Sequence, residues 1–290
     1  MLHEAMCNTS RPDGSVECTL CAHRCVIRPG HTGICEVRRN VDGTLYSTVY
    51  GQPVALHVDP IEKKPLRHFL PGTMTYSMAT VGCNFRCGFC QNWRISQAGS
   101  FQSAPAATVS PSEIVELAQE NRCPSISYTY TEPTVYFEYA YETARLGHAA
   151  GLKNIFVTNG FLTREALETI SPYLDAANVD LKSFSDSFYR KHCKGRLDPV
   201  LETIRLMKEL GVWVEVTTLV IPSENDSEEE LRQIANFLSS IAREIPWHIS
   251  RFHPDYRMTD RENTPRDTLS LAADIGYSAG LTSVHIGNVP

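Results

Sequence analysis

Cys83, Cys87 and Cys90 lie in the run Gly82-Cys83-Asn-Phe-Arg-Cys87-Gly-Phe-Cys90-Gln-Asn-Trp93. Closely spaced thiols in a reducing compartment mean metal before disulfide. A structural zinc site wants four closed ligands, so three cysteines leave an ion or an iron–sulfur cluster one ligand short. An open coordination position implies chemistry at the metal. The bland alternative is a zinc knuckle that borrows a distant fourth ligand such as His68 or Cys123. A second set, Cys18, Cys21, Cys25 and Cys35, supplies enough thiols for a closed site, and Gly30 and Gly33 permit the turns that bring Cys35 back. Structural zinc is the first expectation there, because closed four-cysteine sites in small turn-rich modules are most often zinc; an auxiliary iron–sulfur cluster is the alternative. Cys7, Cys123 and Cys193 stand apart and read as ordinary thiols.

The elements that must position these residues follow from patterning. From about residue 75 onward, β-branched or aromatic runs alternate with amphipathic stretches, as in repeated βα units. The expected strands are 75–79, 126–130, 155–158, 177–180, 212–221 and 247–252, and the cysteine loop follows the first of them. Ser110-Pro-Ser-Glu113 and Ser227-Glu-Glu-Glu230 read as capping boxes, Asp198-Pro199 and Thr264-Pro265 as further helix starts, and Gly211 as a C-terminal stop. About six βα units result, too few for an eight-unit barrel, so the fold class is α/β with a partial (β/α)6 barrel. Residues 1–70 are short-patterned, turn-rich and cysteine-rich and form a small N-terminal metal-binding module with its connector; residues 71–290 form the barrel domain.

Composition excludes some classes. The formal net charge of −6 argues against broad electrostatic attachment to nucleic acid or anionic membranes. No apolar stretch approaches the length of a membrane span, and the N-terminus lacks a secretory pattern, so the expected compartment is cytoplasmic.

Cys83-x-x-x-Cys87-x-x-Cys90, with Phe89 before the third cysteine, resembles the motif of radical S-adenosylmethionine (SAM) enzymes. That resemblance implies a 4Fe-4S cluster on the three cysteines, SAM on the fourth iron, and an adenine contact at Phe89. Thr129-Tyr130-Thr131-Glu132-Pro133 is similar to the Gly-Gly-Glu-Pro segment that grips the SAM amino group in activating enzymes of glycyl radical proteins, although both glycines are replaced. Val157-Thr158-Asn159-Gly160, Asp180-Leu-Lys182 and Arg251-Phe-His253-Pro254 resemble strand ends in the same enzymes. The resemblance implies Lys182 and His253 at the SAM carboxylate, Asp180 organising them or helping to hold a monovalent cation, and Asn159 near the ribose.

A narrower resemblance rests on Cys18-Thr-Leu-Cys21-Ala-His-Arg-Cys25, Gly30-His-Thr-Gly33-Ile-Cys35, Asp59-Pro-Ile-Glu-Lys-Lys-Pro-Leu-Arg-His-Phe-Leu-Pro-Gly72, the cysteine loop and Gly287-Asn-Val-Pro290. These are similar to the radical SAM member of the AmmeMemoRadiSam system, which implies Memo-like partner proteins. The leading expectation is an enzyme that makes a 5′-deoxyadenosyl radical to abstract hydrogen from an unidentified substrate, fed by an electron donor such as flavodoxin or ferredoxin. The alternatives are a glycyl radical activating enzyme acting on a protein loop, and a non-enzymatic metal-binding partner protein indifferent to SAM.

Overall fold

The computed structural model describes residues 2–99 and 108–289; Pro290, the end of the Gly-Asn-Val-Pro element, lies outside them. The N-terminal strands are β1 (His3–Glu4), β2 (Asn8–Ser10), β3 (Val16–Cys18), β4 (Val26–Ile27), β5 (Arg38–Val41) and β6 (Thr44–Ser47). They make two small antiparallel sheets, ordered β1-β6-β5 and β2-β3-β4. The chain then forms β7 (Ala55–Pro60), β8 (Met74–Ala79), β9 (Ser125–Tyr128), β10 (Lys153–Thr158), β11 (Ala176–Asp180), β12 (Trp213–Val220), β13 (Trp247–Arg251) and β14 (Val284–Gly287). These hydrogen-bond in sequence order as one open sheet. From β8 to β14 every pairing is parallel, whereas β7 runs antiparallel along β8.

All six expected strands are present, and the sheet adds one strand at each edge. β7 carries Pro60, which only an edge position tolerates, and β14 is too short for its alternation to stand out. Successive parallel strands need crossovers, and the helices between them bury one stripe on the sheet. The helix Glu228–Ile241, for example, buries Leu231, Ile234, Ala235 and Leu238, spaced at helical turns. Among the described residues no helix is long and apolar enough to cross a membrane.

The helix starts show where local patterning suffices. Ser110 and Glu113 close a reciprocal capping box on Pro111–Glu120. Ser227 caps its helix, but the Glu230 carboxylate turns away to Ser183 Oγ and the Phe184 N–H, so that box is half made. Asp198 is the first residue of its helix and caps nothing; its N-cap is Leu197. Thr264 also caps nothing: its hydroxyl donates to Val220 O at 2.6 Å and accepts from Phe252 N at 2.9 Å, tying the ends of β12 and β13 together. Gly211 takes φ +81° after Asp198–Glu209, and Val212 N reaches back to Met207 O at 3.0 Å, a glycine stop.

A buried ion pair docks the N-terminal sheets on the barrel. Arg38 of β5 meets the Glu138 carboxylate of the helix Phe137–Ala149 through two bonds of 3.0 and 2.8 Å, and both groups also bond the backbone of Met6. Paired in this two-pronged way, the charges offset much of the cost of leaving water.

Candidate functional site

The cysteine loop leaves the C-terminal end of β8, the end at which parallel βα folds present their working groups. Gly82 turns the chain there with φ +100°, and a Cβ at this position would stand 2.7 Å from Val37 Cγ1 and 3.1 Å from Cys35 O. No other residue fits so close an approach in that backbone conformation. The loop rests on the short turn Tyr189–Cys193, with Arg86 N donating to Cys193 O at 2.8 Å and Gly88 N to His192 O at 3.1 Å. Phe85 N donates to Cys83 Sγ at 3.3 Å, and Cys90 Sγ lies 3.1 Å from Ser96 Oγ. Burial pushes the Cys83 and Cys90 thiols up, and a contact with Cys193, together with burial, does the same to Cys87. Cys193 is thus a fully buried thiol at the back of the loop, a proximity no local spacing announces.

The loop opens onto a cleft of about 790 Å³ lined by Cys83, Cys87, Cys90, Glu132, Asn159 and Lys182, among others. Clefts of about 300–1,000 Å³ take cofactor-sized ligands. Glu132 is buried and accepts four hydrogen bonds: Thr134 N at 3.1 Å, Thr134 Oγ1 at 2.6 Å, Thr158 Oγ1 at 2.7 Å and Asn159 N at 2.7 Å. Burial raises its pKa and these donors oppose the rise. Its carboxylate therefore joins the ends of β9 and β10. Asn159 continues the chain of bonds: its Oδ1 accepts from Phe161 N at 3.0 Å and its Nδ2 donates to Asn84 Oδ1 at 2.7 Å, beside Cys83.

Tyr130 takes φ +62°, in the left-handed region that glycine adopts most readily. Its hydroxyl donates to Asp59 Oδ2, and the Lys64 ammonium sits 4.4 Å from its ring centroid while bonding the same carboxylate at 2.7 Å. Lys63 adds a 2.7 Å bond. Burial opposes the Asp59 charge, but these bonds hold its carboxyl well below the ordinary range. The strained tyrosine is thereby clamped by the Asp59-Pro-Ile-Glu-Lys-Lys segment. Thr131 spends its hydroxyl proton on Thr80 O at 2.8 Å.

On the next strand end, Lys182 Nζ bonds Asp180 Oδ2 at 2.8 Å and stands 5.9 Å from the Phe89 ring. Burial works against the lysine charge, and the Asp180 carboxylate 2.8 Å away outweighs it, which holds the Lys182 pKa above the ordinary lysine range. His253 stands apart from this group: it is exposed, outside the lining residues, and its Nε2 lies 3.0 Å from Gln91 Nε2 at the rim. The borrowed-ligand alternative is not met, because His68 Nε2 faces His285 Nε2 at 2.8 Å and Cys123 Sγ faces Asn121 O at 3.8 Å.

His248 and His285 line the far wall of the cleft, and behind them lies a carboxylate that no local pattern singled out. Glu215 of β12 is buried and accepts from His248 Nε2 at 2.6 Å and from the N–H groups of Arg67 and His68 at 3.0 Å each. Burial opposes its charge, and these donors hold its carboxyl below the ordinary range. His248 and His285 are register partners on β13 and β14 with rings 5.2 Å apart. Positions 68, 215, 248 and 285 share no sequence spacing, so only the sheet brings them together.

Among the described residues, no three cysteine, histidine or carboxylate side chains converge on the position of a single ion. The loop thiols instead line a wide cleft with no fourth protein donor among them, a donor set suited to a cluster with one exchangeable corner. An open parallel barrel with such a loop at the mouth of its first parallel strand defines a cluster-dependent α/β enzyme class. Residues 78–238, more than half of the chain, match the Radical SAM superfamily, and the chain belongs to it. An uncharacterized protein of Methanocaldococcus jannaschii is 47% identical over all of this chain and 86% of its own length. A radical SAM methyltransferase from Sphaerobacter thermophilus shares the fold at TM-score 0.60 and 16% identity, over 76% of this chain and 68% of that one. A domain of pyruvate-formate lyase-activating enzyme from Bacteroides vulgatus does so at TM-score 0.51 and 18% identity, over 57% of this chain and 99% of that domain. The protein is therefore a radical SAM enzyme, with a 4Fe-4S cluster and SAM as its cofactors.

Proposed function

We propose that Cys83, Cys87 and Cys90 hold the cluster and that SAM lies along the strand ends from β8 to β11, where its sulfonium receives an electron to give methionine and a 5′-deoxyadenosyl radical. The observation that carries this reading is the convergence of three thiols, Glu132, Asn159 and the Asp180–Lys182 pair on one cleft. Lys182 supplies the cation for the SAM carboxylate, Asp180 keeps that cation in place and offers an oxygen to a monovalent cation, and Phe89 gives the adenine an apolar face. Tyr130 and Thr131 present backbone groups to the amino end, with Glu132 fixing the turn behind them. His253, at the rim, acts through Gln91 beside Cys90.

The substrate then enters from the β12–β14 side and offers a C–H bond to the radical. The motif resemblance supports a role in the AmmeMemoRadiSam system, with Memo-like protein partners and a flavodoxin or ferredoxin as electron donor. A second reading, activation of a glycyl radical protein, is favoured by the shared fold with the lyase-activating domain. Anaerobic incubation with SAM, reductant and cell extract deuterated at carbon separates these: deuterium should enter 5′-deoxyadenosine, and a glycine-centred radical signal on a protein supports the second reading. Failure of the reconstituted protein to form 5′-deoxyadenosine and methionine would overturn both.

A further inference from the structure

Cys18, Cys21, Cys25 and Cys35 line a small cavity of their own. The polar groups that SAM leaves unused gather instead on the far side of the large cleft, where Arg67, Thr217, His248, Ser250 and His285 line it. Arg67 belongs to the connection between β7 and β8, which reaches over to the later strands. Its course is fixed from two of them. Asn178 Nδ2 of β11 donates to Pro65 O at 2.8 Å, and Glu215 of β12 accepts from Arg67 N and His68 N at 3.0 Å each. A carboxylate is buried only where donors compensate it, and the backbone that carries Arg67 and His68 supplies two of the donors to Glu215, beside His248 Nε2 and Trp213 Nε1. The base of the Arg67 side chain is therefore held in place.

The other charges of the cleft are already committed. Lys63 and Lys64 bond Asp59, Lys182 bonds Asp180, and Glu132 is filled by four donors. Glu62 accepts from Gly72 N at 2.7 Å, beyond the lining. Arg67 differs: among the described residues no hydrogen bond or ion pair engages its guanidinium, which carries five donors and no acceptor. His248 gives Nε2 to Glu215, and His285 Nε2 faces His68 Nε2 at 2.8 Å, so each ring retains its Nδ1. Burial, His248, His68 and Arg67 together push the His285 pKa down to about 4, with Glu215 opposing. Beyond the effect of burial, the share due to Arg67 marks a positive field at that ring, and such a field favours an anion.

We propose that Arg67, His248 and His285 form the substrate subsite of the cleft and that it takes an anionic oxygen group, a carboxylate or a phosphate. A guanidinium matches two oxygens of either group through paired N–H bonds. Glu215, which holds Arg67, is in register with Asn178, ahead of Lys182 along the strand direction. The two cations thus serve different ends of the cleft, Lys182 at SAM and Arg67 at the substrate. The inference rests on the reading of this cleft as the site of both.

The test uses the full chain, reconstituted anaerobically with isotope-labelled histidine rings, and follows the titration of His285 by NMR without SAM or reductant, the signal being assigned from His285→Gln. Inorganic phosphate and acetate are added in separate arms, with sodium chloride at the same ionic strength as the reference. Phosphate, acetate or both should raise the His285 pKa by about 1–3 units, as an opposite charge within a few ångström does, and the active arm identifies the group. Arg67→Gln keeps the backbone N–H that Glu215 holds and should weaken that anion about tenfold or more, with Arg67→Lys between it and wild type. A response no larger than that to chloride, or an unchanged affinity in Arg67→Gln, would overturn the subsite. The active anion at saturation should also lower deuterium transfer from labelled extract into 5′-deoxyadenosine, and undiminished transfer would rule out its role in holding substrate. Formation of 5′-deoxyadenosine without extract is read separately, so failure of the SAM reading is told apart from failure of this one.

Discussion

Glu132→Gln perturbs the acceptor that joins β9 to β10. The carboxylate presents two oxygens: Oε1 receives Thr134 N, Thr134 Oγ1 and Thr158 Oγ1, and Oε2 receives Asn159 N. The two hydroxyls can rotate and become acceptors, but the two backbone N–H groups cannot. A glutamine that keeps its carbonyl on the three-donor side turns its amide toward Asn159 N, where the native bond is 2.7 Å, so donor faces donor. One unpaired backbone N–H costs about 1–3 kcal/mol. Burial already raises the Glu132 pKa, so part of the strength of its charged bonds offsets desolvation, and the glutamine loss should fall near the lower figure. Glu132→Ala leaves both backbone donors unpaired, for about 2–6 kcal/mol. Urea unfolding under anaerobic conditions, followed by tryptophan fluorescence, reads both changes as shifts in midpoint at constant slope. Variants within about 0.5 kcal/mol of wild type, a level typical of ordinary surface changes, or a glutamine variant less stable than the alanine one, would refute this account.

Two further outcomes follow from the same geometry. Lys182→Ala should weaken SAM binding by about 1.5–3 kcal/mol, roughly tenfold to a hundredfold, in protein whose iron content matches wild type. His253→Ala, at an exposed rim position, should change it less, and equilibrium binding of SAM to both variants decides. His285 is packed by burial and by His248, His68 and Arg67, with Glu215 opposing them, and its pKa is pushed from an ordinary 6.5 down to about 4. Between those values the unfolded chain binds the extra proton, so this group's contribution to stability falls as pH is lowered from 6.5 toward 4. The ring is partly exposed, so screening reduces the effect to about 1 kcal/mol. His285→Gln should flatten that part of the stability profile measured by urea titration, and an unchanged slope would count against it.

What the sequence alone determined is local. The spacing of Cys83, Cys87 and Cys90, the Ser110 capping box and the six βα repeats each depend on neighbours within a turn or a strand, where residue type and period decide. The strand-end residues Glu132, Asn159, Asp180 and Lys182 were legible only through the resemblance of their segments, and the parallel barrel brings those strand ends to one cleft. Tertiary structure decided what depends on distant partners. Tyr130 holds a left-handed turn because Asp59 and Lys64 reach it from an edge strand and its following turn, a pairing that Pro60 conceals from strand patterning. Thr264 looked like a helix cap and instead pins two strands, since its hydroxyl found closer acceptors and donors across the sheet. Glu230 left its own helix for Ser183 on the same grounds. Glu215, His248 and His285 meet through strand register, and Arg38 meets Glu138 only where the N-terminal sheets dock on the barrel. Such contacts are set by which donors remain unpaired once the sheet has closed its backbone bonds, and burial makes leaving them unpaired costly.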